Sequence, residues 1–481
     1  CNSLFIFVGM VETAQHIPDS IKHLLVSQIP TYFENRNVST NYVTCSVLSG
    51  DKILLRSESP SNKVSMMLFQ VDIEIEQDKI HLENGKEGKK TEKEALLVKK
   101  ILNSTSKNDM QDIKYLFSIE CRMFKDIIPF ILSMSGTCRC GMNCCTTNIC
   151  KVTSLFQKCY FASGKSKHGV IVLENIQEKG YELCTNRSML LDYDHLILVL
   201  KALARFHALS YAAKKKDSMA FYSKITRKMK KGKTFVTKNK KAEQLYAHGY
   251  FQSLQYAAIQ PVEEFAKREL NARQYLGIQR LNNLLEDTVE LIRQSLRPSE
   301  PLSVICHGNL MFTNIYFKYD SNNNPVAVKL TDFQNAHYAS PATDLAVFLF
   351  LNSSPELRAV HWDQLFSTYH ATLVNALAEF LECSRQEILS EFSLSNLKHE
   401  FSKHAVYGYV LTSGYVISDS LKCDELFDIF RNDLPSRDDI DKYIVENLKM
   451  EGEIVTSRLL PLVKELIDGE FLSDSLETFK V

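Results

Sequence analysis

The chain has 481 residues, 45% of them hydrophobic, with equal totals of 57 basic and 57 acidic side chains. That length and apolar content can bury a large core divided into two or more lobes, while the balanced charge gives no argument for nucleic acid or an anionic membrane surface. Thirteen cysteines, an odd number scattered along most of the chain, argue against a secreted disulfide framework.

The apolar run Leu4 to Met10 is far shorter than the roughly 20 residues that span a bilayer, and it lacks the basic flank and cleavage site of a signal peptide. No membrane span and a cytoplasmic location are therefore expected; a monomer is the separate expectation for its assembly. The sequence begins at Cys1 rather than Met, so a fragment is one expectation. Residues 11 to 34 read as one or two helices, with Ile21, Leu24, Leu25 and Ile29 on one face and Phe33 beyond a break at Pro30. Four apolar or alternating segments follow, Tyr42 to Leu48, Ile53 to Leu55, Val64 to Ile75 and Ala95 to Leu102, which predict an antiparallel sheet. Glu83 to Glu94, rich in Lys, Glu and Gly, reads as a solvated loop between the last two.

Lys99 ends the apolar strand LLVKK, where it can snorkel to solvent or meet nucleotide phosphates in a cleft. About twenty residues later Glu120 lies in a segment of helical periodicity, either as a surface charge or as the partner of Lys99. Cys138, Cys140, Cys144, Cys145 and Cys150 cluster in TCRCGMNCCTTNIC. Their spacing fits neither paired CxxC motifs nor a nearby His, so a loop of reduced thiols is the expectation ahead of a metal site. LFQKCYFAS and GVIVLENIQ read as two further strands, and Glu174 and Asn175 close the second.

His195 to Lys214 carries Leu196, Val199, Leu200, Leu203 and Phe206 at i, i+3, i+4 spacing, which makes it a core helix with His207 packed beside the apolar face. From Lys214 to Lys241 twelve basic residues stand against one acid, Asp217. The run reads as a solvated surface or as a funnel for an anionic ligand such as ATP. Residues 243 to 297 read as helical.

Val304 to Cys306, Ile315 to Tyr319 and Val326 to Leu330 are apolar runs long enough for buried strands. His307, Asn309 and Asn314 lie in the turn between the first two. Asp332 follows the third, across a turn sequence at Asp320 to Pro325, and a hairpin there brings Asn314 and Asp332 together. Local turn chemistry explains Asn, Asp and Gly at such positions equally well. Taken jointly, one carboxylate and one amide oxygen suit Mg²⁺, which keeps several waters and bridges substrate phosphates, as at a phosphoryl-transfer site. Beyond it lie further amphipathic or buried helices, on which Trp362, Tyr407 and Tyr409 are either core aromatics or pocket-facing residues.

These motifs resemble the catalytic and metal loops of the aminoglycoside phosphotransferase and choline kinase group, and most closely the insect ecdysteroid kinase-like family. There one loop reads HGDxxxxN and the second reads DFQ, followed about a dozen residues later by DL. Here they are His307, Gly308, Asn309 and Asn314, then Asp332, Phe333 and Gln334, then Asp344 and Leu345. LARFHALS around His207 strengthens the likeness, which extends from about residue 40 to 430. It implies the α+β class in a bilobal protein kinase-like fold: a small antiparallel-sheet lobe over 1–174 with an N-terminal helical cap, and a larger, mainly helical lobe over 175–481.

The same resemblance implies ATP in a cleft between the lobes, Lys99 fixed by Glu120 against its phosphates, and Mg²⁺ held by Asn314 and Asp332. It places Glu174 and Asn175 at the hinge that holds adenine, with Asn175 replacing the family's second acid. Ser65 becomes the phosphate-loop serine, although SESPSNKVS lacks the glycine that lets backbone approach phosphate. A hydroxyl of a small lipophilic molecule, such as an ecdysteroid, would be the acceptor. The departure is Asn309, where the family has the aspartate that accepts the acceptor's proton. An amide is too weakly basic for that task, so a slow kinase, a nucleotide- or ligand-binding pseudokinase and an altered or misread codon remain as readings.

Overall fold

The computed structural model describes residues 19–34, 42–53, 66–81, 87–101, 109–136, 148–164, 169–184, 190–229, 240–420, 453–469 and 471–472, with positions 436, 438, 442 and 446. Ser65 and the cysteines from Cys138 to Cys145 lie outside them. The elements are both helical and extended, as the α+β class requires, and the chain divides into two compact units. One comprises Asn2–Pro129 and Phe156–Glu182; the other is built mainly from Phe130–Leu155 and Leu183–Val481.

The first unit is organised on a five-stranded sheet. Its strands are β1 (Tyr42–Ile53), β2 (Met66–His81), β3 (Glu87–Ile101), β4 (Cys159–Ser163) and β5 (Val170–Glu174), in the order β1-β2-β3-β5-β4. All the described pairings are antiparallel. Helix α1 (Asp19–Glu34) carries Ile21, Leu25 and Ile29, one residue per turn, into a cluster with Phe69, Val71, Ile73, Leu96, Val98 and Val172. Each large apolar side chain buried there contributes about 1.5–3 kcal/mol. Because strand side chains alternate, Lys99 points away from that cluster, toward α2 (Asp109–Arg122). This helix continues through a π turn at Met123–Ile127 into α3 (Ile128–Met134).

Three expectations are corrected here. Pro30 does not break α1, which runs on to Glu34. Tyr42 to Ile53 is one strand rather than two, with an irregular register between Val47 and Ser49. Residues from Glu87 to Glu94, expected in a solvated loop, belong to β3, because pairing with β2 satisfies their backbone whatever the charge of their side chains.

The second unit contains α4 (Asn148–Thr153), and β6 (Glu182–Leu183) lies where the chain returns to it. Helices α5 (Tyr193–Lys216), α6 (Ser218–Phe221), α7 (Arg227–Met229), α8 (Lys240–Ala266), α9 (Ala272–Leu285) and α10 (Thr288–Ser295) follow. Strands β7 (Val304–Cys306), β8 (Ile315–Tyr319), β9 (Pro325–Leu330) and β10 (His337–Ala339) precede α11 (Ala342–Asn352), α12 (Pro355–Leu381), α13 (Arg385–Glu391), α14 (Leu394–Ser420) and α15 (Glu453–Asp468). Asp192 caps α5, accepting from the His195 N–H at 3.0 Å. Among the described residues α5 is long and apolar enough to cross a membrane, and 78% of its apolar window is buried inside the protein. Packing against α12 and the small strands accounts for that apolarity.

Lys214, the first residue of the basic run, departs from the solvated expectation. It is buried, and its ammonium donates to Glu300 Oε2 at 2.8 Å and to the carbonyls of Pro301 and Ser303 at 2.7 Å each. Trp362 packs among Phe350, Phe366, Phe401 and Phe471, while Tyr409 is buried with its hydroxyl on the Ala258 carbonyl. Both serve the core.

Candidate active site

Two loops meet at one end of the small strands. The β8–β9 hairpin pairs Ile315 with Leu330, which sets Asn314 beside Thr331. Thr331 donates both its backbone N–H, at 3.0 Å, and its hydroxyl, at 3.1 Å, to the Asn314 carbonyl. Strand β10 then pairs back onto β7, His337 opposite Cys306, so the loop after β9 is tied to the loop after β7. Asp332 lies between these ties in the left-handed region, φ 63° and ψ 63°. A non-glycine residue held there stores about 1–3 kcal/mol and persists only where its surroundings fix it.

His307 is one such fixing group. It is fully buried, its Nε2 donates to the Thr331 carbonyl at 3.0 Å, and its Nδ1 accepts the Asn309 N–H at 3.3 Å. Burial pushes its pKa down, so the neutral ring that both bonds require is the favoured form. Its ring also packs against Phe333, with centroids 4.7 Å apart. His307 therefore spans the two loops as a positioning residue.

Asp344, at the start of α11, holds the other side of the turn. Oδ2 accepts the His307 N–H at 2.6 Å and Oδ1 accepts the Gly308 N–H at 2.8 Å, while His207 Nε2 lies 3.1 Å from Oδ2. Gly308 has φ +76°, and a Cβ there would collide with the Asn335 carbonyl, so glycine is required. His207 Nδ1 meets the Tyr369 hydroxyl at 2.7 Å. Ligand atoms of His207, Cys306 and Asp344 all lie within 4.8 Å of one another. Each is engaged by protein, Cys306 by the Ala339 and Ser340 carbonyls, and burial pushes the Cys306 thiol pKa well up. The cluster is thus a hydrogen-bonded support beneath the loop.

Asn309 stands at the centre. Its backbone carbonyl accepts from Asn314 Nδ2 at 2.9 Å, and its own Nδ2 donates to Asp332 Oδ2 at 3.3 Å. Gln334 Nε2 donates to the same Asp332 oxygen at 2.9 Å. Asn309, Asn314 and Asp332 are thereby brought together, as the motif predicts. With the Asn314 nitrogen committed, its side-chain oxygen is the atom left for a cation, and that amide oxygen and the Asp332 carboxylate are the hard-oxygen groups that could hold one.

In the sheet unit, Lys99 Nζ lies 2.6 Å from Glu120 Oε2, and both residues are buried. At that depth either charge alone would cost several kcal/mol, so the two hold one another in place. Glu174 and Asn175 are also buried, but their backbone N–H groups are taken. Glu174 donates to the Lys158 carbonyl at 2.9 Å and Asn175 to Ala95 at 2.8 Å, while the Glu174 carbonyl accepts from Gln157 Nε2 at 3.2 Å. The geometry therefore presents neither N–H to an adenine ring.

Sequence reasoning left three residues out of the site. Asp344 and Gln334 stood in the motif with no role assigned to them. Tyr415, on α14, donates its hydroxyl to Asn309 Oδ1 at 3.2 Å, and nothing in its apolar helical segment marks it.

The mixed fold and paired loops define a kinase-like phosphotransferase class. The chain belongs to the ecdysteroid kinase-like family, whose model matches residues 65–381. Among solved structures it is similar to a choline/ethanolamine kinase family protein from Mesorhizobium loti, at 10% identity over 83% of this chain and 90% of that one, with a TM-score of 0.30. It is also similar to a mutant aminoglycoside 2'-phosphotransferase-IIIa in its GDP complex, at 11% identity over 94% of this chain and 100% of that one, with a TM-score of 0.33. A search of curated protein sequences finds no match.

Proposed function

We propose that the protein transfers the γ-phosphoryl group of ATP to a hydroxyl of a small lipophilic molecule, with an ecdysteroid as the acceptor class that the family's name suggests. The observation that carries this reading is the joining of Asn309, Asn314 and Asp332 by hydrogen bonds in one loop pair. Asp332 and Asn314 would hold Mg²⁺, which when bound neutralises phosphate charge and aligns the transferred group. Lys99, fixed by Glu120, is the proposed phosphate contact. Ser65 remains a proposal from the family pattern, as do Glu174 and Asn175 through groups other than their engaged N–H.

In the transfer, an acceptor oxygen forms a bond to the γ-phosphorus as the bond to the ADP oxygen breaks, and the hydroxyl proton must leave. Asn309 can orient the hydroxyl but cannot take the proton, which then passes to water. A lost general base lowers the rate by about 10² to 10⁴, while positioning and electrostatics remain. The second reading, a pseudokinase that binds nucleotide or ligand without turnover, is favoured by that same amide.

Comparing the native protein with Asn309→Asp separates the two. ATP consumption is measured with a panel of hydroxylated steroids and plant metabolites, and Mg·ATP binding by calorimetry. The kinase reading expects slow native turnover that rises by about 10² or more in the variant. Binding of Mg·ATP by both forms with turnover by neither would leave the pseudokinase standing.

A further inference from the structure

Asn309 is bonded on both sides of its amide. The Tyr415 hydroxyl donates to Oδ1, so the nitrogen faces the opposite way, where it meets Asp332 Oδ2. Tyr415 and Asn309 are 5% and 3% exposed, which leaves little water to compete for these bonds. Burial first, and the Asp332 charge second, push the Tyr415 pKa up, so its hydroxyl keeps the proton that it donates. Tyr415 also lies beyond residues 65–381, the segment that the family model matches.

An aspartate at 309 would bring a second carboxylate close to Asp332. Two carboxylates at such range do not both stay ionised without a cation between them. Amides satisfy the Asp332 oxygen with no cation present, Asn309 Nδ2 at 3.3 Å beside Gln334 Nε2 at 2.9 Å, and only the first is turned by Tyr415. We propose that Asn309, oriented by Tyr415, is a metal lock: its amide caps the Asp332 carboxylate in the metal-free protein, and a divalent cation binds by displacing it. Tyr415 is then a positioning residue for the cation site. The lock rests on Asp332 being the metal carboxylate, as in the proposed function.

Mg²⁺ and Mn²⁺, alone and with a non-hydrolysable ATP analogue, are titrated into the full chain by calorimetry, and thermal unfolding is followed with and without each cation. The native protein, Asn309→Asp and Tyr415→Phe are compared. Asn309→Asp is expected to melt lower without metal, to gain more from it, and to bind Mg²⁺ at least about tenfold more tightly, because a repelled carboxylate replaces a satisfied amide. Tyr415→Phe keeps the ring and frees the amide to turn, so Mg²⁺ binding tightens about threefold to tenfold, the worth of one hydrogen bond. It also supplies the test if Asn309→Asp fails to fold. Equal cation affinity in all three forms overturns the lock while the metal reading stands. Cation binding by none of them, with or without the nucleotide analogue, removes Asp332 as the metal carboxylate and the lock with it.

Discussion

Asp344 stays charged although it is buried. Burial alone would raise its pKa, but the hydrogen bond from the His207 ring, beside the N–H donors of His307 and Gly308, outweighs it and brings the value from 3.8 down to about 2. A folded-state pKa below the unfolded one contributes stability that is present above pH 4 and lost as pH falls toward 2. At about 1.4 kcal/mol per pKa unit, Asp344 contributes about 2 kcal/mol at neutral pH. Urea unfolding followed from pH 6 to 2 should show that loss in the native protein, and Asp344→Asn should flatten it. An unchanged acid profile in the variant would place the acid-sensitive stability elsewhere. At this scale the sequence carried His307, Asn309, Asn314 and Asp332 in two short motifs. Tyr415 was hidden, because its contact with Asn309 spans 106 residues and it stands in the buried apolar stretch of its helix, with Val406, Val410 and Val416. The burial that makes a phenol effective there also makes it look like core.

The helices α11 and α14 bring Asp344 and Tyr415 to one loop, and their separation is set by small residues. A Cβ added at Gly408 would lie 2.6 Å from Ala346 Cβ. Gly408→Leu should therefore force the helices apart, costing about 1–3 kcal/mol as overpacking does. If α14 carries the lock, the same variant should also tighten Mg²⁺ binding as Tyr415→Phe does. Loss of stability with native cation affinity would detach the packing from the site. Elements were readable where side chains carried the period: the hairpin at 315–330 and core helix α5 followed from apolar spacing. Glu87 to Glu94 was not readable, since backbone pairing with β2, rather than side-chain burial, makes it strand.

At the scale of the whole molecule, the helical unit reaches well past the matched segment. Leu459, Leu460, Leu462, Val463, Leu466 and Ile467 of α15 are all buried. Arg358 of α12, itself 2% exposed, donates to both carboxylate oxygens of Glu465 at 2.8 Å each. Arg358→Ala would take the guanidinium from Glu465, a partly exposed residue of α15, and is expected to cost about 1.5–3 kcal/mol, the worth of hydrogen bonds to a charged group, read as a lower urea midpoint. An unshifted midpoint would mean that α15 is held by its leucines alone. Little of this docking was readable beforehand, because an amphipathic helix announces an apolar face without naming its partner. The chain order of the two units has a further consequence during synthesis. All segments of the sheet unit have left the ribosome once residue 182 has emerged, whereas the helical unit waits for α15, ending at Asp468. At typical elongation rates that gap lasts roughly 15 to 60 s. For that time the apolar faces of α8, α9 and α14 in the unfinished helical unit lack the partner that α15 supplies, so nascent chains stalled in this window should be the ones that chaperones hold.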